Sequence, residues 1–270
     1  MNFNLLMNCC LNEIKKLKKP IHNKYQSKIK YDNQYYLTMI FFMLNDINNW
    51  KFLSNLKIYK SEYKYHYKTI YNKFCLWTSL NVFKNAFYNY KTMILSNLLL
   101  IDATSINNKY GSENIVINVE YKKKKITKLS IVTNKQGFIY SIVPFDIKNV
   151  NINYSTSVHD VRMINKSIDE IKYINNNSKY YNLIADKAYK TNDKYKLKNK
   201  KIKIITPDKK NTINKNNKFK NKKLKLRVKI ENVNCFIKKY ERIILRKDRK
   251  IKYFMSFVYL GCLINNINCK

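Results

Sequence analysis

The sequence is short of glycine, proline and histidine and has no paired cysteine motif, and each shortage excludes a class of site. Its 270 residues include 3 Gly, 3 Pro and 3 His. A glycine-rich phosphate-binding loop and a proline-rich linker are therefore excluded. The six cysteines form no Cys-x-x-Cys pair and the histidines are scattered, so the ligand spacing of a zinc site is missing.

Long apolar runs are also missing. A membrane span needs roughly 18 apolar residues, and the longest stretch, Phe254 to Ile264, is much shorter. We therefore expect a buried helix there and no membrane partner. We also expect no signal peptide, so the cysteines are predicted to be reduced thiols in an intracellular protein of the cytoplasm or the nucleus.

Acidic residues are the most telling shortage. Only 17 Asp and Glu oppose 54 Lys and Arg, which gives a formal net charge of +37. Charge of this sign and size predicts a polyanionic partner, with DNA as the expected one. Lys, Asn, Ile and Tyr all use A/T-rich codons, so part of the excess reflects codon bias and local motifs carry more weight.

Periodicity divides the chain into two regions. Residues 1–92 read as helical, because aromatic and apolar residues such as Tyr71, Phe74 and Trp77 recur at intervals of three and four. These aromatics are typical of core packing, and a small DNA-binding module is a compatible interpretation. Residues 93–270 alternate strands and helices, which predicts an α/β fold with a mixed sheet and flanking helices.

The second region contains several strand and helix signals. An apolar run over 94–101 predicts a central strand ending at Asp102, and a shorter one over 181–185 ends at Asp186. Gly137 is expected in the turn of a hairpin. Further strands are predicted over 115–119, 129–133, 138–143 and 202–206, and helices over 158–174, 191–199, 222–245 and 251–264.

Three carboxylates stand out in this acid-poor chain. Asp102 and Asp186 follow predicted strands, and Glu231 shares one helical face with Arg227 and Lys238 at the spacing i, i+4 and i+11. Acids near a phosphate backbone would repel it unless they held metal ions, so the pattern predicts metal-dependent phosphodiester chemistry. The alternatives are turn or capping roles for the two Asp residues and a solvated salt-bridge face for the helix.

These segments resemble the insertion-sequence DDE transposases of bacterial type, over roughly residues 60–268. The first acid lies in Asp102-Ala103-Thr104, the second in Ala185-Asp186-Lys187-Ala188-Tyr189, and the third in Arg227-x3-Glu231-x6-Lys238. The step Val158-His159-Asp160 also resembles the family. Ala188 stands where the family has a glycine that could adopt positive φ, and Leu224 stands where it has a tyrosine.

The resemblance implies an RNase H-like catalytic domain over 93–270, with the basic segment 209–230, after a helical region over 1–92. It implies that Asp102, Asp186 and Glu231 are catalytic and hold two Mg²⁺ or Mn²⁺ ions. The expected DNA contacts are Arg227, Lys238, Lys222, Lys223 and Lys225. The implied function is cleavage and strand transfer at the ends of a mobile element, with element ends and target DNA as partners and a homodimer on DNA. Two alternatives stay open: a catalytically decayed relic that only binds DNA, and an RNase H-like nuclease without strand transfer.

Overall fold

The computed structural model describes ten stretches of the chain, namely residues 3–17, 33–45, 49–55, 66–90, 96–118, 124–146, 160–171, 180–189, 201–207 and 224–269. Its α-helices are α1 (Phe3–Lys16), α2 (Asn33–Asn45), α3 (Tyr67–Ser79), α4 (Val82–Asn89), α5 (Ile164–Asp169), α6 (Arg227–Ile237), α7 (Glu241–Ile244) and α8 (Ile251–Asn268). Short 3-10 helices span Trp50–Asn55, Asp160–Met163 and Lys187–Tyr189.

The strands form one mixed sheet. They are β1 (Leu98–Asn108), β2 (Val116–Asn118), β3 (Lys124–Asn134), β4 (Ile139–Pro144), β5 (Tyr181–Ile184), β6 (Ile202–Ile205) and β7 (Leu245–Arg246). The long β1 is central, with the antiparallel β3–β4 hairpin on one side and the parallel β5 and β6 on the other. The short β2 pairs with β3, and the short β7 pairs with the far end of β1. This order is RNase H-like, and it confirms the predicted fold class.

Successive side chains along β1 and β5 point to opposite faces of the sheet. Leu100 of β1 pairs with Ile184 of β5, and both pack against Ile230 of α6. Their neighbours Leu99 and Leu183 point the other way, as the two-residue period of a strand requires, and belong to a cluster with α5. Helices therefore cover both faces, and α6 lies over the face that includes every second residue of β1 from Leu100.

The amino-terminal helices and α8 share one core. Phe74 of α3 stacks on Phe257 of α8 with ring centroids 4.8 Å apart, and the Thr78 and Ser256 hydroxyls form a buried hydrogen bond of 2.9 Å. Phe74 and Trp77 are buried, which confirms the core interpretation of these aromatics. DNA binding by the same region, and the division of the chain at residue 92, stay predictions.

Helix α8 is the buried helix expected near the carboxyl end, and it runs from Ile251 to Asn268. Gly261 lets α7 approach it closely, because a Cβ there would lie 2.7 Å from the Ile243 Cδ1. None of the helices in the described stretches is long and apolar enough to cross a membrane.

Several predicted boundaries were wrong. Strand β1 continues past Asp102 to Asn108, because β3 pairs with it as far as Asn107 and β7 pairs with its last two residues. The helix predicted over 222–245 is broken, since Tyr240 adopts an extended backbone (φ −83°, ψ 121°) and starts the separate α7. In the stretch predicted as one helix from residue 158, the 3-10 turn Asp160–Met163 precedes the short α5. The helix expected over 191–199 lies outside the described residues.

The hairpin prediction was right. Gly137 has a φ of +93° in the turn between β3 and β4, a conformation that glycine adopts without strain. Asn134 stabilises the turn by accepting hydrogen bonds from the backbone of Gln136 and Phe138, both at 2.9 Å.

Candidate active site

Asp102 and Asp186 occupy equivalent places on neighbouring strands. The last register pair between the parallel strands β1 and β5 is Leu100 with Ile184, and each acid lies two residues further along its own strand. Paired strands lie about 4.8 Å apart, and a step of two residues returns to the same face. Asp102 therefore lies within β1 and Asp186 just beyond the end of β5, and side chains of α6 contact both acids.

Helix α6 supplies the cation of the site. The Arg227 Nη1 lies 3.3 Å from Asp186 Oδ1, and its Nη2 lies 3.9 Å from Glu231 Oε1, one helical turn later. Asp186 Oδ1 also accepts the backbone N–H of Lys187 at 2.6 Å. One guanidinium thus holds the second and third predicted acids, although both side chains are about half exposed, at 44% and 55%.

The first acid contacts the same helix through a residue that the sequence motif does not include. The Nδ2 of Asn234 donates a hydrogen bond of 2.8 Å to Asp102 Oδ2. Asn234 is buried, whereas Glu231, three residues earlier, is exposed. The only signal for Asn234 in the sequence is its position, one turn after Glu231 on a helix whose face was already assigned to the site.

Asp102 is the acid whose protonation the fold alters most clearly. Its pKa is raised from 3.8 to about 6; burial is the largest cause, and the charges of Asp160 and Asp186 act in the same direction. A backbone hydrogen bond from Ala103 and the charge of Arg227 oppose this increase. Asp160, from the predicted His-Asp step, forms an ion pair with Lys128 of β3.

Lys238, the last predicted residue of the helical face, lies at the carboxyl end of α6. Burial lowers its pKa, and the nearby charge of Asp102 acts in the opposite direction. The motif residues of α6 therefore lie near the two aspartates, with Arg227 beside Asp186 and Lys238 close enough to Asp102 to respond to its charge.

Of the other predicted DNA contacts, only one lies among the described residues. Lys225 is exposed just before α6, whereas Lys222, Lys223 and most of the basic segment 209–230 lie outside the described residues. Their contact with DNA stays a prediction.

The two departures from the family pattern have simple local explanations. Leu224 packs against the apolar cluster that includes Leu100, Ile184 and Ile230. Ala188 lies in a 3-10 turn closed by the bond from the Tyr189 N–H to the Asp186 carbonyl. Among the described residues, positive φ outside glycine occurs at Asn81 and Asn114, so Ala188 needs no glycine-like backbone.

The carboxylate oxygens of the site are of the type that binds a hard divalent cation. Carboxylate oxygens are the ligands that Mg²⁺ and Mn²⁺ prefer, and here they come from two adjacent strand positions and the facing helix. Within the described stretches, however, no three His, Cys, Asp or Glu side chains converge closely enough to hold an ion. Arg227 now contacts two of the acids that a metal ion would need.

Of the comparisons with known proteins, the match to a family model agrees with the resemblance. The sequence matches the family model of the DDE superfamily endonucleases over residues 101–266. A search of curated proteins finds no match. Among solved structures, the piggyBac transposase in a synaptic complex with hairpin DNA is similar, with a TM-score of 0.42 and 9% identity over 78% of this chain. The aligned part is 50% of that transposase, so this chain spans about half its length. Because the family model covers more than half of its 270 residues, the chain belongs to the DDE superfamily endonucleases.

Proposed function

We propose that this protein is a transposase that cuts DNA at the ends of a mobile element and joins the freed 3′ ends to target DNA. The observation that carries the proposal is that one helix contacts both aspartates, through Asn234 to Asp102 and through Arg227 to Asp186. In a chain with 17 Asp and Glu against 54 Lys and Arg, carboxylates that one helix contacts on neighbouring strands favour a functional site.

In this proposal Asp102, Asp186 and Glu231 hold Mg²⁺ or Mn²⁺. When bound there, two such ions would activate the attacking oxygen and neutralise charge on the leaving 3′ oxygen. Because Arg227 contacts Asp186 and Glu231, its side chain has to release them, and its fork of donors then suits a DNA phosphate. Lys238 and Lys225, with Lys222 and Lys223, add positive charge along the phosphate backbone, and a homodimer would bring two element ends together.

The test is a cleavage assay on full-length protein with Mg²⁺, using duplexes from the sequences that flank its gene. We expect Asp102→Asn, Asp186→Asn and Glu231→Gln to lose cleavage by at least about 10³-fold while DNA binding in gel shifts holds. Asp169→Asn on α5 and Glu241→Gln on α7 are the matched controls, because these exposed acids lie away from the three-acid face. Normal cleavage by Asp102→Asn would refute the catalytic assignment.

The same preparation separates the two remaining alternatives. A wild-type protein that binds DNA but never cuts it is a relic, and one that cuts without joining is a nuclease. Transposase activity predicts covalent joining of a labelled 3′-OH end to a supercoiled target plasmid, visible as a labelled relaxed product.

A further inference from the structure

Asn234 is a polar side chain in an apolar stretch of α6. Its neighbours Ile230, Val233 and Ile237 are buried in the core, and Asn234 itself is only 8% exposed. Asparagine is a poor helix former, and burying an amide is unfavourable unless it is hydrogen-bonded. An apolar residue there would serve the packing of α6 better, so its presence calls for another explanation.

Only one end of the Asn234 amide has a hydrogen-bond partner among the described residues. Its Nδ2 donates to Asp102 Oδ2 at 2.8 Å, whereas its Oδ1 is buried and has no hydrogen-bond partner among the described residues. An amide that served folding alone would be expected to have both ends satisfied. The unused acceptor lies on the same amide that contacts the first acid of the site.

We propose that Asn234 is a positioning residue of the active site, which fixes the Asp102 carboxylate and sets the separation between β1 and α6. This inference rests on the function proposed above. With Oδ2 bound to the amide, the orientation of the Asp102 carboxylate is fixed, and this determines where its other oxygen points. Since Asn234 and Glu231 are three residues apart on one helix, the same bond also sets the distance of Glu231 from Asp102.

The experiment uses the full-length protein with Mn²⁺ as the probe. Asn234→Leu keeps a similar volume and removes the donor. Partners that orient metal ligands typically contribute 10–100-fold to metal affinity, so we expect the Mn²⁺ Kd measured by calorimetry to rise about 10–100-fold. The kcat for DNA cleavage should fall by a similar factor, while the KM for DNA stays within about twofold. Asn232→Leu is the matched control, because Asn232 is an exposed asparagine on the same helix.

A double-mutant cycle distinguishes positioning from simple packing. In the Asp102→Asn background, Asn234→Leu should cause no further loss of Mn²⁺ affinity, because the carboxylate on which it acts is gone. If Asn234→Leu does not fold, Asn234→Ala replaces it, since alanine cannot clash and favours the helix. A variant with a lowered Tm but wild-type Kd and kcat would overturn the inference and leave the proposed function intact. A wild-type protein that neither binds Mn²⁺ nor cuts DNA would overturn both.

Discussion

Removal of the Asp102 charge should stabilise the folded protein at neutral pH. Burial raises the pKa of this carboxyl from 3.8 to about 6. The folded protein therefore keeps the Asp102 proton to a higher pH than the unfolded chain does. Asp102 lowers the free energy of unfolding progressively as pH rises from about 4 to about 6, and by a constant amount above that range.

The magnitude follows from the two pKa values. A difference of about two pH units corresponds to roughly 3 kcal/mol, since each unit is worth about 1.4 kcal/mol. We reduce this to about 2 kcal/mol, because Asp102 is partly exposed and solvent screens its charge. For a chain of this size, about 2 kcal/mol corresponds to a Tm difference of roughly 4–8 °C.

The assay is thermal unfolding of wild type and Asp102→Asn in EDTA at pH 4 and pH 7.5. We expect the variant to be more stable by roughly 4–8 °C at pH 7.5, and the difference to shrink to about 1 °C at pH 4, where both side chains are neutral. The asparagine can still accept the Asn234 hydrogen bond, so the comparison isolates the charge. Asp169→Asn, an exposed acid on α5, is the control. A variant that is less stable at pH 7.5 would mean that Arg227 and Lys238 stabilise the charge more than burial destabilises it.

Three further predictions concern DNA binding, the metal site and the fold. DNA affinity in gel shifts should fall about 10³–10⁵-fold between 50 and 200 mM salt if about 6–10 phosphates are contacted, and a flat titration would mean that the +37 charge reflects codon bias alone. Arg227→Ala should weaken DNA binding about tenfold and leave Mn²⁺ binding equal or tighter, because the guanidinium no longer competes for Asp186 and Glu231; weaker Mn²⁺ binding in calorimetry would contradict this. Gly111→Ala should lower the free energy of unfolding measured in urea by about 1–3 kcal/mol, because a Cβ there would lie 2.4 Å from Asn108 Oδ1 and 2.6 Å from Arg246 Nε. An unchanged urea midpoint of unfolding would show that these two side chains can move aside.

The sequence allowed the order of elements to be predicted better than their ends. The apolar run before Asp102 identifies a central strand, because a strand buried on both faces has few polar positions. It does not reveal that β1 continues through Ser105 and Asn107, since that extension depends on pairing with Lys128 and Ile126 of β3, which are distant in the sequence. The break at Tyr240 is likewise a tertiary effect, because the chain turns there to pack against α8 at Gly261.

The candidate site shows the same limit. The three acids and Arg227 were found from spacing and local pattern, but the contact of Arg227 with two of those acids depends on how α6 lies across β5. Asn234 was missed because a single asparagine on a helix usually lies on the surface. Its role becomes visible only when the face of α6 that meets β1 is known.

The departures at Leu224 and Ala188 bear on the choice between an active copy and a relic. Leu224 fills an apolar cluster beneath α6, and Ala188 adopts a backbone that alanine allows. Neither residue replaces a carboxylate, and both fit the local structure they stand in. Random decay after loss of function is not expected to spare three acids in a chain with only 17, while also keeping a buried amide aimed at one of them. We therefore favour an active enzyme, in which Asn234 positions the Asp102 carboxylate.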